Sequence, residues 1–258
     1  MVYKKGPPFR VRPVQEICED ILEARSLFGD LVRTVFLPAG NTIAMPTEAL
    51  AAVCRFAGGQ FPRLERITVY GSSQYIARKG LDELKLIREA GLTRIHVGME
   101  SGDDEILRRV KKGTHLREQI TAGRLAKEAG IEMSAYVILG LGGQERTEQH
   151  ARATARAINA IAPDFVRLRT LVPKIHTFLL HQFKKGQFKL LTPHQVLRET
   201  RQLIENTRCQ TTLVSDHYTN YINLQGRLPD DKERMLREID LALEWDDRDF
   251  RPHFIGTE

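Results

Sequence analysis

Apolar residues along this chain fall into two alternating spacings. Short β-branched runs recur at 31–37 (LVRTVFL), 66–70 (RITVY), 94–99 (RIHVGM), 132–139 (EMSAYVIL), 165–171 (FVRLRTL) and 211–215 (TTLVS), and each has the length and composition of a strand. Between them, at 14–28, 47–57, 82–90, 103–112, 117–129, 146–161, 193–206 and 230–244, apolar residues return every three or four positions, as Ile17 and Ile21 or Leu84 and Ile87 do. That period predicts helices. The strand starts lie 35, 28, 38, 33 and 46 residues apart. Parallel neighbours need crossovers of about that size, so the rhythm predicts a β/α barrel or an open parallel sheet. Gly91 and Gly130 each close a Glu-Ala-Gly segment a few residues before a strand, where a helix that ends in a left-handed residue favours glycine. No long Pro/Gly linker divides the sequence, which predicts a core over 1–175 and a C-terminal α/β extension over 176–258 packed on the same domain.

Composition narrows the class without choosing a function. A chain of 258 residues that is 41% hydrophobic and 28% charged can bury a globular core. No run approaches the roughly 18 apolar residues of a membrane span, and the start MVYKKGPPFRVR lacks an apolar stretch, so a cytoplasmic protein without a membrane partner is expected. The net charge of +6 is mild. Its densest basic runs, Arg108-Arg109 with Lys111-Lys112 and Lys184-Lys185, read as solvated helix ends or as phosphate contacts, which leaves RNA open as a partner. Cys18, Cys54 and Cys209 are too scattered for a paired metal motif or a disulfide framework and read as structural thiols, so no metal ligand is assigned.

In β/α barrels the chemistry gathers at the carboxyl ends of the strands. The run 31–37 leads into Gly40-Asn41-Thr42, a turn or a place where backbone and side-chain donors meet a ligand. The 94–99 run ends in GMESG, and alternation puts His96, Gly98 and Glu100 on one face, making Glu100 a carboxylate in need of a partner. Ser101 doubles as a helix N-cap. The 132–139 run closes in a glycine cluster, ILGLGG, which serves as a ligand shelf or as a tight strand-to-helix turn. Arg167 and Arg169 share a face of the next strand and pair with Glu100 and Glu132 or with an anionic ligand. Asp216, His217, Tyr218 and Asn220 line a mouth or form a hydrogen-bonded turn. His176 and His181 have no acidic companion nearby, so metal binding there is not expected.

Gly40-Asn41-Thr42, GMESGDDEILRRVKKGTH and YVILGLGG, in this order, together with YKKGPPFRVRPVQEI, FKLLTPHQVL and SDHYTNYINLQGRLPDDKERMLREID, resemble the radical S-adenosylmethionine (SAM) superfamily, with an Elongator/NifB-type core. The resemblance implies an α/β fold, a partial (β/α)6 TIM-like barrel of parallel strands. It implies a [4Fe-4S] cluster on a C-x-x-x-C-x-x-C loop, and reductive cleavage of SAM to a radical that takes hydrogen from a substrate, a small molecule or RNA, with an electron donor as partner. The cluster loop and the first strand are missing here, so the chain is expected to be truncated and inactive, its catalytic residues unassigned. The alternative is a non-catalytic barrel that binds SAM, a nucleotide or RNA. By resemblance, Gly40 and Asn41 stand near the SAM amino group, Glu100 and Ser101 touch its amino acid or ribose, and Val137, Ile138, Gly140 and Gly142 form the adenine shelf. Arg169 joins them by strand parity alone.

Overall fold

The two spacings are realised as seven strands and nine α-helices among the residues that the computed structural model describes, 10–38, 40–175 and 177–252. The first nine residues, which include most of the YKKGPPFRVR segment, and His176 lie outside them. The strands are β1 (Thr34–Leu37), β2 (Arg66–Gly71), β3 (Leu92–Glu100), β4 (Glu132–Leu139), β5 (Phe165–Thr170), β6 (Thr211–Ser215) and β7 (Leu224–Leu228). The helices are α1 (Val14–Phe28), α2 (Thr47–Gln60), α3 (Ser73–Glu89), α4 (Asp104–Arg109), α5 (Leu116–Glu128), α6 (Gly143–Ile161), α7 (Phe178–Lys184), α8 (Pro193–Asn206) and α9 (Lys232–Ala242).

The strands are ordered in the sheet as they are in the chain. β1 with β2, β2 with β3, and β5 with β6 pair in parallel, while β7 closes antiparallel to β6. Chain-ordered parallel strands joined through helices are the connectivity of a partial β/α barrel. β1 has β2 as its one strand neighbour among the described residues.

Three elements depart from the expected pattern. α3 starts at Ser73 and not at 82, because Gly80 at φ 70° interrupts it and breaks the apolar period there. α7 and β7 had no strong period to announce them. β7 buries Leu224, Gly226 and Leu228 in alternation, but a glycine with flanking turn residues reads as loop.

The described residues divide into two compact units, 10–98 with 121–134, and 99–120 with 135–252. In the first, α1 packs on α2 and α2 on α3. Leu50, Cys54, Ile76, Leu84, Ile87, Ile95 and Val97 are wholly buried there, and such aliphatic burial contributes about 25 cal/mol per Å² removed from water. On β1, β2 and β3, the rings of Phe36, Tyr70 and His96 meet edge-on or tilted at 5.0–5.9 Å. In the second unit, α6 packs on α8, α9 packs on α8 and β7, and β5, β6 and β7 pair in turn. α8 opens with a capping box between Thr192 and Gln195 and a proline at its first turn, a start that fixes the helix register.

Candidate functional site

The second unit contains a cavity of about 1150 Å³. Its walls come from the segments at the carboxyl ends of β3, β4, β5 and β6 and from the loop between α7 and α8. Glu100, the last residue of β3, faces it with φ at 64°. A left-handed conformation in a residue with a Cβ costs about 1 kcal/mol or more and tends to persist where the surroundings enforce it. Lys112 holds the carboxylate, with Nζ 3.0 Å from Oε1.

The segment after Glu100 is fixed from below. Ser101 is buried and does not line the cavity; its Oγ accepts from Asp103 N–H at 3.0 Å. The cap of α4 is therefore Asp103 and not Ser101: Asp103 Oδ1 accepts from Glu105 N–H and Ile106 N–H at 2.9 and 3.2 Å. Its Oδ2 accepts from Arg146 at 2.8 Å. Burial opposes ionisation of Asp103, yet Arg146 and the two amides outweigh it and hold the carboxyl below the usual range. Gly102 donates its N–H to Thr154 Oγ1 at 3.0 Å, and a Cβ there would stand 2.5 Å from the Ala153 carbonyl oxygen. The strand end and α6 thus touch backbone to backbone, as only glycine allows.

Beyond β4 the chain bends through 140–143. Ile138 and Gly142 line the cavity, while Val137 is buried beneath it and Gly140 does not reach it. The Gly140 N–H is spent on Glu199 of α8, with Oε1 accepting at 2.7 Å. Glu199 also accepts from the Thr147 hydroxyl and lies 3.0 Å from His150 Nδ1. Both Glu199 and His150 are buried. Burial disfavours a charged imidazole, but Glu199, with the Glu100 carbonyl and Asp103 behind it, raises the His150 pKa above its ordinary value.

β5 aims Arg167 and Arg169 the same way, but neither meets Glu100 or Glu132. Glu132 pairs with Arg94 at 2.6 Å, and Arg167 lies 3.7 Å from Asp216. Arg169 lines the cavity with its guanidinium over the Tyr136 ring, 4.7 Å from the centroid. The 216–220 cluster divides: His217, Tyr218 and Thr219 reach the cavity, whereas Asn220 is buried as a tie. Its Oδ1 accepts from Thr170 N–H at 2.8 Å, and its Nδ2 donates to Leu168 O and Ser215 Oγ, both at 2.9 Å. Lys174, Phe188 and Lys189 also line the cavity; they sit in irregular segments, and although FKLLTPHQVL carries the family resemblance, the sequence singles out no residue of it for the site.

Gly40 and Asn41 belong to the first unit. Gly40 is exposed, and Asn41 Oδ1 accepts from Ser72 N–H at 2.9 Å, which ties the segment after β1 to the start of α3.

Among the described residues no three histidine, cysteine or acidic side chains gather as a metal-binding group. Cys54 is wholly buried, which pushes its thiol up to about 12, and burial also raises Cys18. Cys209 directs its thiol to the Ile158 carbonyl. A buried thiol such as Cys54 is the opposite of the exposed thiolates that an iron–sulfur cluster takes, and the half-buried Cys18 and Cys209 gather with no other ligands, so the described residues do not fit such a cluster. No helix of the described residues is long and apolar enough to cross a membrane.

Comparison with known proteins agrees with this architecture. An uncharacterised protein of Methanopyrus kandleri is 28% identical over 162 residues, 58% of this chain and 30% of its own length. A tRNA uridine(34) acetyltransferase of Methanocaldococcus infernus is 27% identical over 108 residues, 42% of this chain and 20% of its own. The chain thus spans a third or less of the length of these two relatives. The archaeal Methanocaldococcus infernus Elp3 structure, with residues 1–46 deleted, superposes with a TM-score of 0.59 at 16% identity, covering 89% of this chain and 59% of that one. Methylornithine synthase (PylB) gives 0.55 at 16%, covering 93% and 75%. Both share the fold. The sequence profile of the Radical SAM superfamily matches residues 1–157, and with more than half of its residues inside that match the chain belongs to the radical SAM superfamily.

Proposed function

We propose that the cavity of the second unit binds S-adenosylmethionine together with a substrate. The observation that carries this reading is the joint wall made by Glu100 and the Ile138–Gly142 bend. SAM carries an ammonium and a sulfonium on one end and a flat adenine on the other. Glu100, fixed by Lys112, offers a carboxylate to the cationic end, and Ile138 with the backbone at Gly142 offers an apolar surface against which a ring can lie. The volume, about 1150 Å³, exceeds the range of roughly 300–1,000 Å³ usual for a single small ligand, which supports a second occupant.

In this superfamily SAM supplies a hydrogen-abstracting radical when a reduced [4Fe-4S] cluster is present. The cysteines described above do not fit that cluster, so its ligands would come from residues other than these, and the 258-residue chain by itself is expected to bind the adenosyl ligand without cleaving it. What the protein contributes is orientation and exclusion of water around the ligand.

Calorimetry with SAM and with S-adenosylhomocysteine tests the binding. Saturable binding of SAM is expected, weakened about tenfold by Glu100→Gln, the loss of one charge-assisted contact worth about 1.4 kcal/mol. Absence of binding by both ligands overturns the proposal. Iron reconstitution under reductant is expected to give no SAM cleavage, and cleavage would overturn the statement about cluster ligands.

A further inference from the structure

Positive charges on the cavity wall fall into two sets. Lys112 is paired with Glu100 at 3.0 Å, and Arg109 lies between Glu105 at 2.9 Å and Glu145 at 3.7 Å. Arg169, Lys174, Lys111 and Lys189 have no carboxylate partner among the described residues, and of these Arg169 and Lys174 are half-buried while Lys111 and Lys189 are exposed. The side chain of Arg169 is half-buried and stacked on Tyr136, a packing that orients a guanidinium without neutralising it. Asp216, next to His217 in the chain, is exposed and lies beside Arg167 at 3.7 Å.

His217 stands in the same field. Its Nδ1 accepts from Thr219 N–H at 3.3 Å and sits 2.7 Å from the Thr219 hydroxyl. A backbone amide can only donate, so Nδ1 is the acceptor and the neutral ring carries its proton on Nε2. Burial first and then Arg169 push the imidazole below its ordinary pKa; Asp216 pulls the other way, and the smaller effects of Lys174 and Arg251 add to the depression. The ring is thus a neutral, directional N–H donor beside two unneutralised cations. Arg251 is occupied elsewhere, donating to the Asn220 carbonyl at 3.2 Å and stacking on Tyr221 at 4.3 Å.

We propose that Arg169, Lys174 and His217 form a subsite for the anionic group, phosphate or carboxylate, of the second ligand that shares the cavity. The proposal rests on the adenosyl reading for its partner but not for its test. A fork-shaped guanidinium, an ammonium and an imidazole N–H are the donor set that an oxyanion takes, and each charge-assisted contact is stronger than its neutral counterpart. The three donors come from β5, the β5–α7 segment and the β6–β7 segment, so the anion would be gripped from separate elements.

The test follows the His217 ring by NMR of histidine-labelled protein, the resonance assigned through His217→Gln. Titration with inorganic phosphate or acetate is expected to raise the His217 pKa, because an anion cancels the field that depresses it. Preference for phosphate marks a phosphoryl substrate, and preference for acetate a carboxylate; either supports the subsite. Lys174→Gln is expected to weaken anion binding at least fivefold and to leave S-adenosylhomocysteine affinity unchanged, and Arg169→Gln to weaken anion binding at least tenfold. Saturating S-adenosylhomocysteine is expected to leave the anion response in place. A His217 pKa that neither anion moves overturns the proposal, and so does full competition by S-adenosylhomocysteine, which would give the donors to the adenosyl ligand's own carboxylate. If the anion response occurs and no adenosyl ligand binds, the subsite stands and the adenosyl reading falls.

Discussion

Removal of the Glu199 carboxylate tests how the strand ends are held. Glu199 is 2% exposed and accepts from Gly140 N–H, Thr147 Oγ1 and the His150 ring. Glu199→Leu leaves the Gly140 amide and the His150 nitrogen without acceptors in a place water does not reach. One orphaned buried donor costs about 1–3 kcal/mol, and removing one member of a buried pair about 3–5. The two descriptions overlap, so the expected loss is about 3–5 kcal/mol. Glu199→Gln keeps one oxygen for Gly140 but drops the charge, and the pH profile then becomes the sharper readout. The folded-state pKa of His150 is raised, so the wild-type contribution is fully present below the unfolded value near 6.5 and lost as pH rises through the folded pKa. One group gives a slope of up to about 1.4 kcal/mol per pH unit in that window. Urea unfolding followed through Trp245, the only tryptophan of the chain and a residue of the same unit, measures both quantities between pH 6 and 9. Wild-type stability should fall with rising pH and that of Glu199→Gln should not. An equal slope in the two proteins, or a Glu199→Leu loss below about 1 kcal/mol, would refute the reasoning.

Two further substitutions probe the cavity walls. Asn220→Ala deletes the contacts to Thr170, Leu168 and Ser215, and should cost about 2–4 kcal/mol in urea unfolding while broadening the His217 and Tyr218 signals; a loss under about 1 kcal/mol would show that the tie is replaceable. Gly102→Ala drives a methyl into the Ala153 carbonyl, and should cost about 1–3 kcal/mol and weaken SAM binding through displacement of Glu100; unchanged stability would mean that the strand end and α6 are free to separate.

How much of this was legible beforehand depends on the range of the interaction. β4, β5 and β6 start where the β-branched runs start, because a strand buried by helices must be apolar over its whole length and short-range composition alone records that. The parity of Glu100 and Arg169 is likewise local. Their partners are not. Sequence parity brought Arg167 and Arg169 toward Glu100 and Glu132, whereas Glu100 took Lys112 from twelve residues on and Glu132 took Arg94 from the neighbouring strand. In S-G-D-D-E both Ser101 and Asp103 are competent caps, and what decides for Asp103 is that the Ser101 hydroxyl accepts from the Asp103 N–H while the Asp103 carboxylate takes the first amides of the helix. Glu199 lies 59 residues from Gly140. One signal for it exists: between Val196 and Leu203 it occupies the apolar face of α8, and an acid at such a position is out of place on a helix whose other charges face water.

The distribution of charge around the cavity separates structure from chemistry. Asp103 with Arg146, and Glu199 with His150, are closed pairs whose acids are buried below the strand ends; a buried ion that lost its partner would unfold the region, so these pairs fix backbone positions and offer nothing to a ligand. Glu100 differs. It keeps a strained left-handed φ, is partly exposed to the cavity, and spends one contact on Lys112. Arg169, Lys174 and His217 go further: they line the same space, and neither cation has a carboxylate partner among the described residues. A fold selected for stability alone would have given those cations an acid or left them in open water. Placing them, unneutralised, around a hollow with an apolar bend on its other wall costs self-repulsion that a bound anion relieves. The rigid lower layer is what keeps that cost from being relaxed by movement of the walls, and it is why the positioning residues beneath the site, more than the ligand contacts themselves, should govern its stability.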